Sequence, residues 1–297
     1  MGNSCCPTAE TGKVPGTSIS IPGGGTSSLV TESAIDLKNF GPPKACRDLP
    51  PFQRDPKLDE MFKGIPEVGL VQLSGGIYEG QMKDGKRHGY GKFLFRDGSF
   101  VEGYSIENKL NLKARLTYTK GDVYEGEWLN DMANGYGIYY NSDGSKYEGH
   151  WKDDNQHGKG REEWPDGIYY EGDYVSKKKQ GWGHCVNAAG DRYEGNFFND
   201  HFHGEGELVW ANGQRYKGEW VEGSRGGKGV MTMPDGIIFE GTFRNNLKHG
   251  EGTVTTPDGK KYIGTWVDGV KTGPIFALMP DGSRVAIAED ASITKDS

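Results

Sequence analysis

Residues 146–167 read KYEGHWKDDNQHGKGREEWPDG. Tyr147, Gly149 and Trp151 alternate with Glu148, His150 and Lys152, the period of a β-strand with one apolar face. Charged and turn residues interrupt, and HGKGREEW then supplies a second alternating run that places Gly158 and Gly160 on one face. The closing PDG is a turn in which Gly167 is free to take positive φ. The stretch therefore predicts one β-hairpin and a link to the next.

The same unit recurs on both sides. Tyr78, Val101, Tyr124, Tyr147, Tyr170, Tyr193, Tyr216, Phe239 and Tyr262 follow one another at intervals of 23 residues, without insertion or deletion. Glycine stands two residues after each, from Gly80 to Gly264, and again twenty residues after each, from Gly98 to Gly282. Four residues on, the column is aromatic in seven of nine units: Trp128, Trp151, Tyr174, Phe197, Trp220, Phe243 and Trp266. Glycine weakens strands unless something needs the space. Fifteen glycines at the paired second-strand positions are read here as room for Tyr and Trp rings to lie against backbone. One buried ring is worth roughly 4–6 kcal/mol gross, whereas ordering a unit of this length costs about 23–46 kcal/mol of backbone entropy. Stability must come from stacking units into an array. The unit from Val101 to Asp122 has Leu112 and Ala114 where glycines belong and Ser105 in the aromatic column, which predicts local irregularity.

The residues that carry this pattern, YEGEW…NGYG…SDG, YEGHW…HGKG…PDG and YKGEW…GGKG…PDG, resemble the membrane occupation and recognition nexus (MORN) repeat. The resemblance implies an all-β fold: an elongated, twisted, single-layer antiparallel sheet of hairpins with a groove-like face. The organisation expected is a flexible arm over 1–54, a short helix and capping strand over 55–77, nine repeats over 78–284, and a C-terminal strand and tail over 285–297. The arm is rich in Gly, Pro, Ser and Thr, too polar to offset its own ordering entropy. Within DPKLDEMFKG, Asp55 suits a helix cap, Pro56 the first helical position and Gly64 the end.

Composition narrows the functions. The 297 residues carry a net charge of −7 with no basic face, so no nucleic-acid partner is expected. Cys5, Cys6, Cys46 and Cys185 suit neither a disulfide framework nor zinc. Seven glutamates follow the aromatic column about a repeat apart, with Lys146, Arg192, Arg215 and Lys261 just before it, which reads as a solvated charge ladder. His88, His157, His203 and His249 share a column but stand too far apart for one ion and read as polar turn residues. There is no G-x-x-x-x-G-K-[ST], G-x-S-x-G or H-E-x-x-H, so no enzyme, metal or cofactor is expected.

The chain begins MGNSCC. A glycine after the initiator methionine and two adjacent cysteines are the elements of an acylation site, with myristate on Gly2 and palmitate on Cys5 or Cys6. One acyl chain holds a membrane only marginally, and Lys177–Lys179 is the one tight basic run in the array, so the second lipid would have to supply the anchoring. The expectation is a non-catalytic scaffold tethered by lipid to the cytosolic face of the plasma membrane or an internal membrane. The resemblance implies that its groove, lined by Trp128, Trp151, Tyr174, Phe197, Trp220, Phe243 and Trp266, holds a helix or peptide of a cytoskeletal or signalling protein, and that arrays self-associate. The alternatives are a structural component of a cilium or other cytoskeletal assembly without lipid, or a module that reads anionic phospholipid.

Overall fold

A computed structural model describes residues 40–42 and 49–287. Gly2, Cys5 and Cys6, most of the arm and the tail after Ile287 lie outside the described residues. Among the described residues one short helix and twenty strands form the regular structure, so the chain is all-β. It divides at Pro165 into two units. The first holds α1 (Pro56–Met61) and strands β1 (Glu67–Leu73) to β9 (Asn155–Glu163), the second β10 (Tyr169–Val175) to β20 (Arg284–Ile287). Within each unit every strand pairs antiparallel with the next in sequence, giving open sheets of consecutive hairpins.

The hairpin of β12 (Arg192–Phe198) and β13 (His201–Val209) shows the unit. Its tip is a two-residue turn with Asn199 at φ 49° and Asp200 at φ 70°. These are type I′ angles, whose twist matches that of the flanking strands and which Asn and Asp tolerate best after glycine. Asp200 also braces the preceding hairpin: its Oδ1 accepts the Lys179 N–H at 2.8 Å while its own N–H donates to the Lys179 carbonyl at 3.2 Å. Asn108 to Arg87, Asp131 to Leu110, Asp154 to Ala133 and Asn246 to Arg225 repeat the brace. At the other end the aspartate of each DG turn accepts the N–H two residues on, as from Asp143 to Ser145 at 2.8 Å.

Midway along the hairpin the register slips. Gly195 faces Gly206 but Phe197 faces Phe202, so one residue on β12 opposes three on β13: His203, Gly204 and Glu205. Such a bulge bends the strand pair. It also separates two glycines that the sequence pattern treats alike. Gly204 sits in the bulge at φ 61°, with no atom closer than 3.6 Å to where a Cβ would be. Gly206 lies under the Tyr193 ring, whose hydroxyl oxygen is 2.2 Å from its would-be Cβ. The expectation that both second-strand glycines make room for rings is thus corrected. The first is required by backbone angle and the second by the ring.

The unit beginning at Val101 corrects a second expectation. Strands β4 (Phe100–Ile106) and β5 (Lys109–Thr117) keep the common pairing, with Gly103 opposite Ala114 and Ser105 opposite Leu110 across the usual slip. The register stays regular because the substitutions compensate: Val101 has no ring to lie on Ala114, so alanine fits where other units need glycine. Leu112 holds the bulge position at φ 64°, against its intrinsic preference. In the last full hairpin, β18 (Lys261–Val267) with β19 (Val270–Leu278), Ile275 replaces the ring-bearing glycine. There the Trp266 ring, not that of Tyr262, approaches Gly264, at 2.9 Å from its would-be Cβ.

Candidate functional site

Alternation along each first strand gives the sheets two unlike faces. On one, the tyrosine column and the aromatic column four residues later close over the glycines. Trp128, Trp151, Tyr174, Phe197, Trp220, Phe243 and Trp266 are only 1–5% exposed. The Tyr124 ring lies edge-on between Trp128 at 5.0 Å and Trp151 at 5.2 Å, and Tyr216 likewise between Trp220 at 5.1 Å and Phe243 at 5.0 Å. Indole N–H groups of Trp128, Trp151 and Trp220 donate to the carbonyls of Ala114, Gly137 and Gly206 at 3.0–3.2 Å. Tyrosine hydroxyls donate to the carbonyl three residues on, at 3.0 Å from Tyr147 to His150 and 2.9 Å from Tyr193 to Asn196. Cations complete the packing, with Arg87 4.7 Å above the Phe93 ring and Lys179 4.8 Å above Tyr170. The expectation that these seven rings line an open groove is therefore corrected. They pack against the tyrosine column and are core.

The opposite, outer face is where side chains meet solvent. The glutamate column lies here among basic neighbours: Lys92 is 3.8 Å from Glu102, Lys146 3.9 Å from Glu148, and Arg115 contacts Glu125. His88, His157, His203 and His249 occupy second strands rather than turns. Among the described residues no group of three or more His, Cys, Asp or Glu side chains is placed to hold a metal ion. Lys178 of the basic run pairs with Asp200, and Lys179 is buried with its ammonium 4.8 Å from the Tyr170 ring.

Over the first hairpins the outer face already holds a peptide, the chain's own residues 50–62. Helix α1 is capped by Asp55, whose carboxylate accepts the Lys57 N–H at 3.0 Å, with Pro56 in its first turn. This segment places the Arg54 guanidinium 4.0 Å above the Tyr90 ring and stacks Phe62 on Tyr104 at 5.9 Å. The Tyr104 hydroxyl donates to Asp59 at 2.6 Å, and Gln81 donates to the Phe62 carbonyl at 3.0 Å. Lys113 pairs with Asp55 at 2.9 Å, and Arg115 donates to the Pro50 carbonyl at 2.8 Å. Burial and the bond to Asp59 push the Tyr104 phenol up to about 12. Tyr104 belongs to the unit that begins at Val101 and stands where other units carry Glu127, His150, Asp173, Asn196 or Glu219. That apolar exchange in a polar column was the sequence signal for the docking site.

In the second unit the outer face shows apolar side chains at the hairpin tips. Val175, Phe198, Val221 and Val267 occupy the position before the tip turn, and Leu247 and Val270 the position after it. All six are exposed, Phe198 at 52% and Val221 at 54%.

A family description named MORN repeat matches residues 78–100, 124–146, 147–169, 193–215, 216–238, 239–261 and 262–274. The two 23-residue spans left out, 101–123 and 170–192, fold as hairpins in the same register. Among solved structures, the TCP10 domain of Danio rerio CPAP in complex with a peptide of Danio rerio STIL is 13% identical with a TM-score of 0.38, over 75% of this chain and 100% of that one. The TCP domain of Drosophila melanogaster SAS-4, in complex with a proline-rich motif of Ana2, is 13% identical with a TM-score of 0.31, over 60% of this chain and 90% of that one.

Proposed function

Because this chain belongs to the MORN repeat family, we propose that it is a non-catalytic scaffold that binds a protein partner on the outer face of its hairpins. The observation that carries the reading is the docked segment. Residues 50–62 are held on that face by ring stacking, a buried tyrosine hydroxyl and charge pairs, the chemistry by which a sheet face takes a foreign peptide. The aromatic face, sealed by its own packing, has no comparable room. Within the second unit, the exposed hairpin tips add apolar surface to the outer face of its own hairpins. Affinity capture with the full chain tests this. Phe198→Asp combined with Val221→Asp, both on exposed positions, removes the bound partner while leaving the circular dichroism unchanged. Full retention of the partner by that variant contradicts the reading.

We also propose that residues 1–6 anchor the scaffold to the cytosolic face of a membrane, with myristate on Gly2 and palmitate on Cys5 or Cys6. Support comes from the MGNSCC sequence itself and from the net acidic charge of the chain, which offers anionic headgroups little attraction of its own. Intact mass of the native protein shows a gain of about 210 Da for myristate, the mass of one 14-carbon acyl chain. Gly2→Ala moves the protein to the soluble fraction; an unmodified N-terminus sinks this part and favours the unanchored cytoskeletal alternative.

A further inference from the structure

The outer face of the first unit carries a second copy of the site that Arg54 fills. Tyr90 and Tyr136 are 46 residues apart, two repeats, and three positions around them are equivalent: Gln81 and Glu127, Glu102 and Glu148, Tyr104 and His150. The Tyr90 N–H donates to Gln81 Oε1 at 2.8 Å, and the Tyr136 N–H donates to Glu127 Oε2 at 2.9 Å. The Tyr90 hydroxyl donates to Glu102; that of Tyr136 donates to Glu148 at 2.7 Å. Tyr104 meets the Tyr90 ring edge-on at 5.7 Å, and His150 meets Tyr136 in the same way at 5.6 Å. Each far carboxylate also has a lysine near 4 Å, from different strand positions: Lys92 on β3 (Lys86–Phe95) at 3.8 Å and Lys146 on β8 (Lys146–Lys152) at 3.9 Å. The first ring carries Arg54 on its face; Tyr136 is 46% exposed.

The differences between the two sites define what the second one takes. Gln81 at the first site donates to the Phe62 carbonyl, but Glu127 in its place can only accept. Tyr104 donates to Asp59, whereas His150 has its Nδ1 at 3.2 Å from the Lys159 carbonyl, which makes its Nε2 an acceptor in the neutral ring. An occupant must therefore bring donors and positive charge to a ring face flanked by two carboxylates. A guanidinium satisfies all of this, since it stacks on aromatic rings and presents several N–H groups in one plane. We propose that Tyr136, Glu127, Glu148 and His150 form an arginine-binding site for a basic segment of a partner protein. This rests on the reading that partners bind the outer face, and it specifies their chemistry. In the second unit Trp182 stands in the same column, 50% exposed, as a ring of the same kind.

The test titrates the full chain with the peptide acetyl-Gly-Arg-Gly-Arg-Gly-amide and with its lysine counterpart, following the Tyr136 ring resonances. The arginine peptide shifts them and binds more tightly than the lysine peptide. Tyr136→Leu weakens it about two- to fivefold, the factor equivalent to an exposed cation–π contact. Glu127→Gln, at an exposed position, weakens it as well and does so without altering the ring. Unperturbed Tyr136 resonances, or an affinity unchanged in both variants, overturn the site. Those results leave the scaffold reading intact, because that reading is decided by capture with the Phe198 and Val221 variant.

Discussion

Replacing Gly206 by alanine would set a methyl group 2.2 Å from the Tyr193 hydroxyl oxygen and 2.6 Å from its Cζ. The ring has little freedom to retreat. It is stacked on Phe202 at 3.6 Å, meets Phe197 edge-on at 5.2 Å and Trp220 at 5.6 Å, and is 1% exposed. Overpacking of this kind costs about 1–3 kcal/mol. Tyr193→Val alone removes the ring and is expected to cost about 3 kcal/mol, as large-to-small core changes do. The double variant recreates the combination of Val101 and Ala114 that the chain already uses in β4 and β5, where Gly103 faces Ala114. Its cost should therefore be close to that of Tyr193→Val alone, a coupling of at least about 1 kcal/mol relative to the sum. Gly204→Ala is the control. Its Cβ meets nothing closer than 3.6 Å, so its cost of about 1–2 kcal/mol comes from φ 61° and is unaffected by Tyr193→Val. Urea unfolding of the three single and two double variants reads these energies. If Gly206→Ala and Tyr193→Val add to within about 0.5 kcal/mol, the ring-on-glycine account of the repeat is wrong.

Other perturbations probe other parts. Burial raises the Asp131 carboxyl above its usual range, so its charged form weakens the fold at neutral pH. Asp131→Asn, which supplies the same acceptor that Asn108 and Asn246 supply, raises the urea midpoint at pH 7, and the gain shrinks as pH falls and Asp131 itself takes up a proton. The bond to Glu148, with some burial, pushes the Tyr136 phenol up to about 12; ultraviolet titration of Glu148→Gln brings that ionisation back toward 10. A raised phenol contributes stability that is fully present below pH 10 and lost toward 12, so Glu148→Gln lowers stability at neutral pH and flattens its decline between pH 10 and 12. Arg54→Ala with Phe62→Ala frees residues 50–62, and hydrogen exchange then speeds up at α1 while β16 (Ile238–Arg244) and β17 (Leu247–Thr255) keep their protection.

The repeat was legible because its period never breaks: the column from Tyr78 to Tyr262 alone fixes the hairpins, their antiparallel pairing and the glycine turns. The fate of the aromatic face was not. Strict alternation describes a flat strand pair, and the two extra residues around Gly204 that bend the hairpin leave no mark in a hydrophobic pattern. For the same reason two glycines with different duties look identical in HGKG or HGEG. The docked segment was hidden by distance, since Asp59 and Tyr104 are 45 residues apart in sequence and meet only through the fold. Traces of it were present as rings in otherwise polar columns, Tyr104 and the series Tyr90, Tyr136 and Trp182.

The central claim is that the aromatic face is closed core and the outer face is the surface offered to partners. Hydroxyl-radical footprinting of the full chain tests it in one experiment. Trp182, Tyr136 and Phe198, at 50%, 46% and 52% exposure, should be oxidised first, with Trp151 and Trp220, at 3% and 1%, protected until the protein unfolds. Oxidation of Trp151 and Trp220 in the folded protein at the rate of Trp182 would contradict the claim and restore an open aromatic groove.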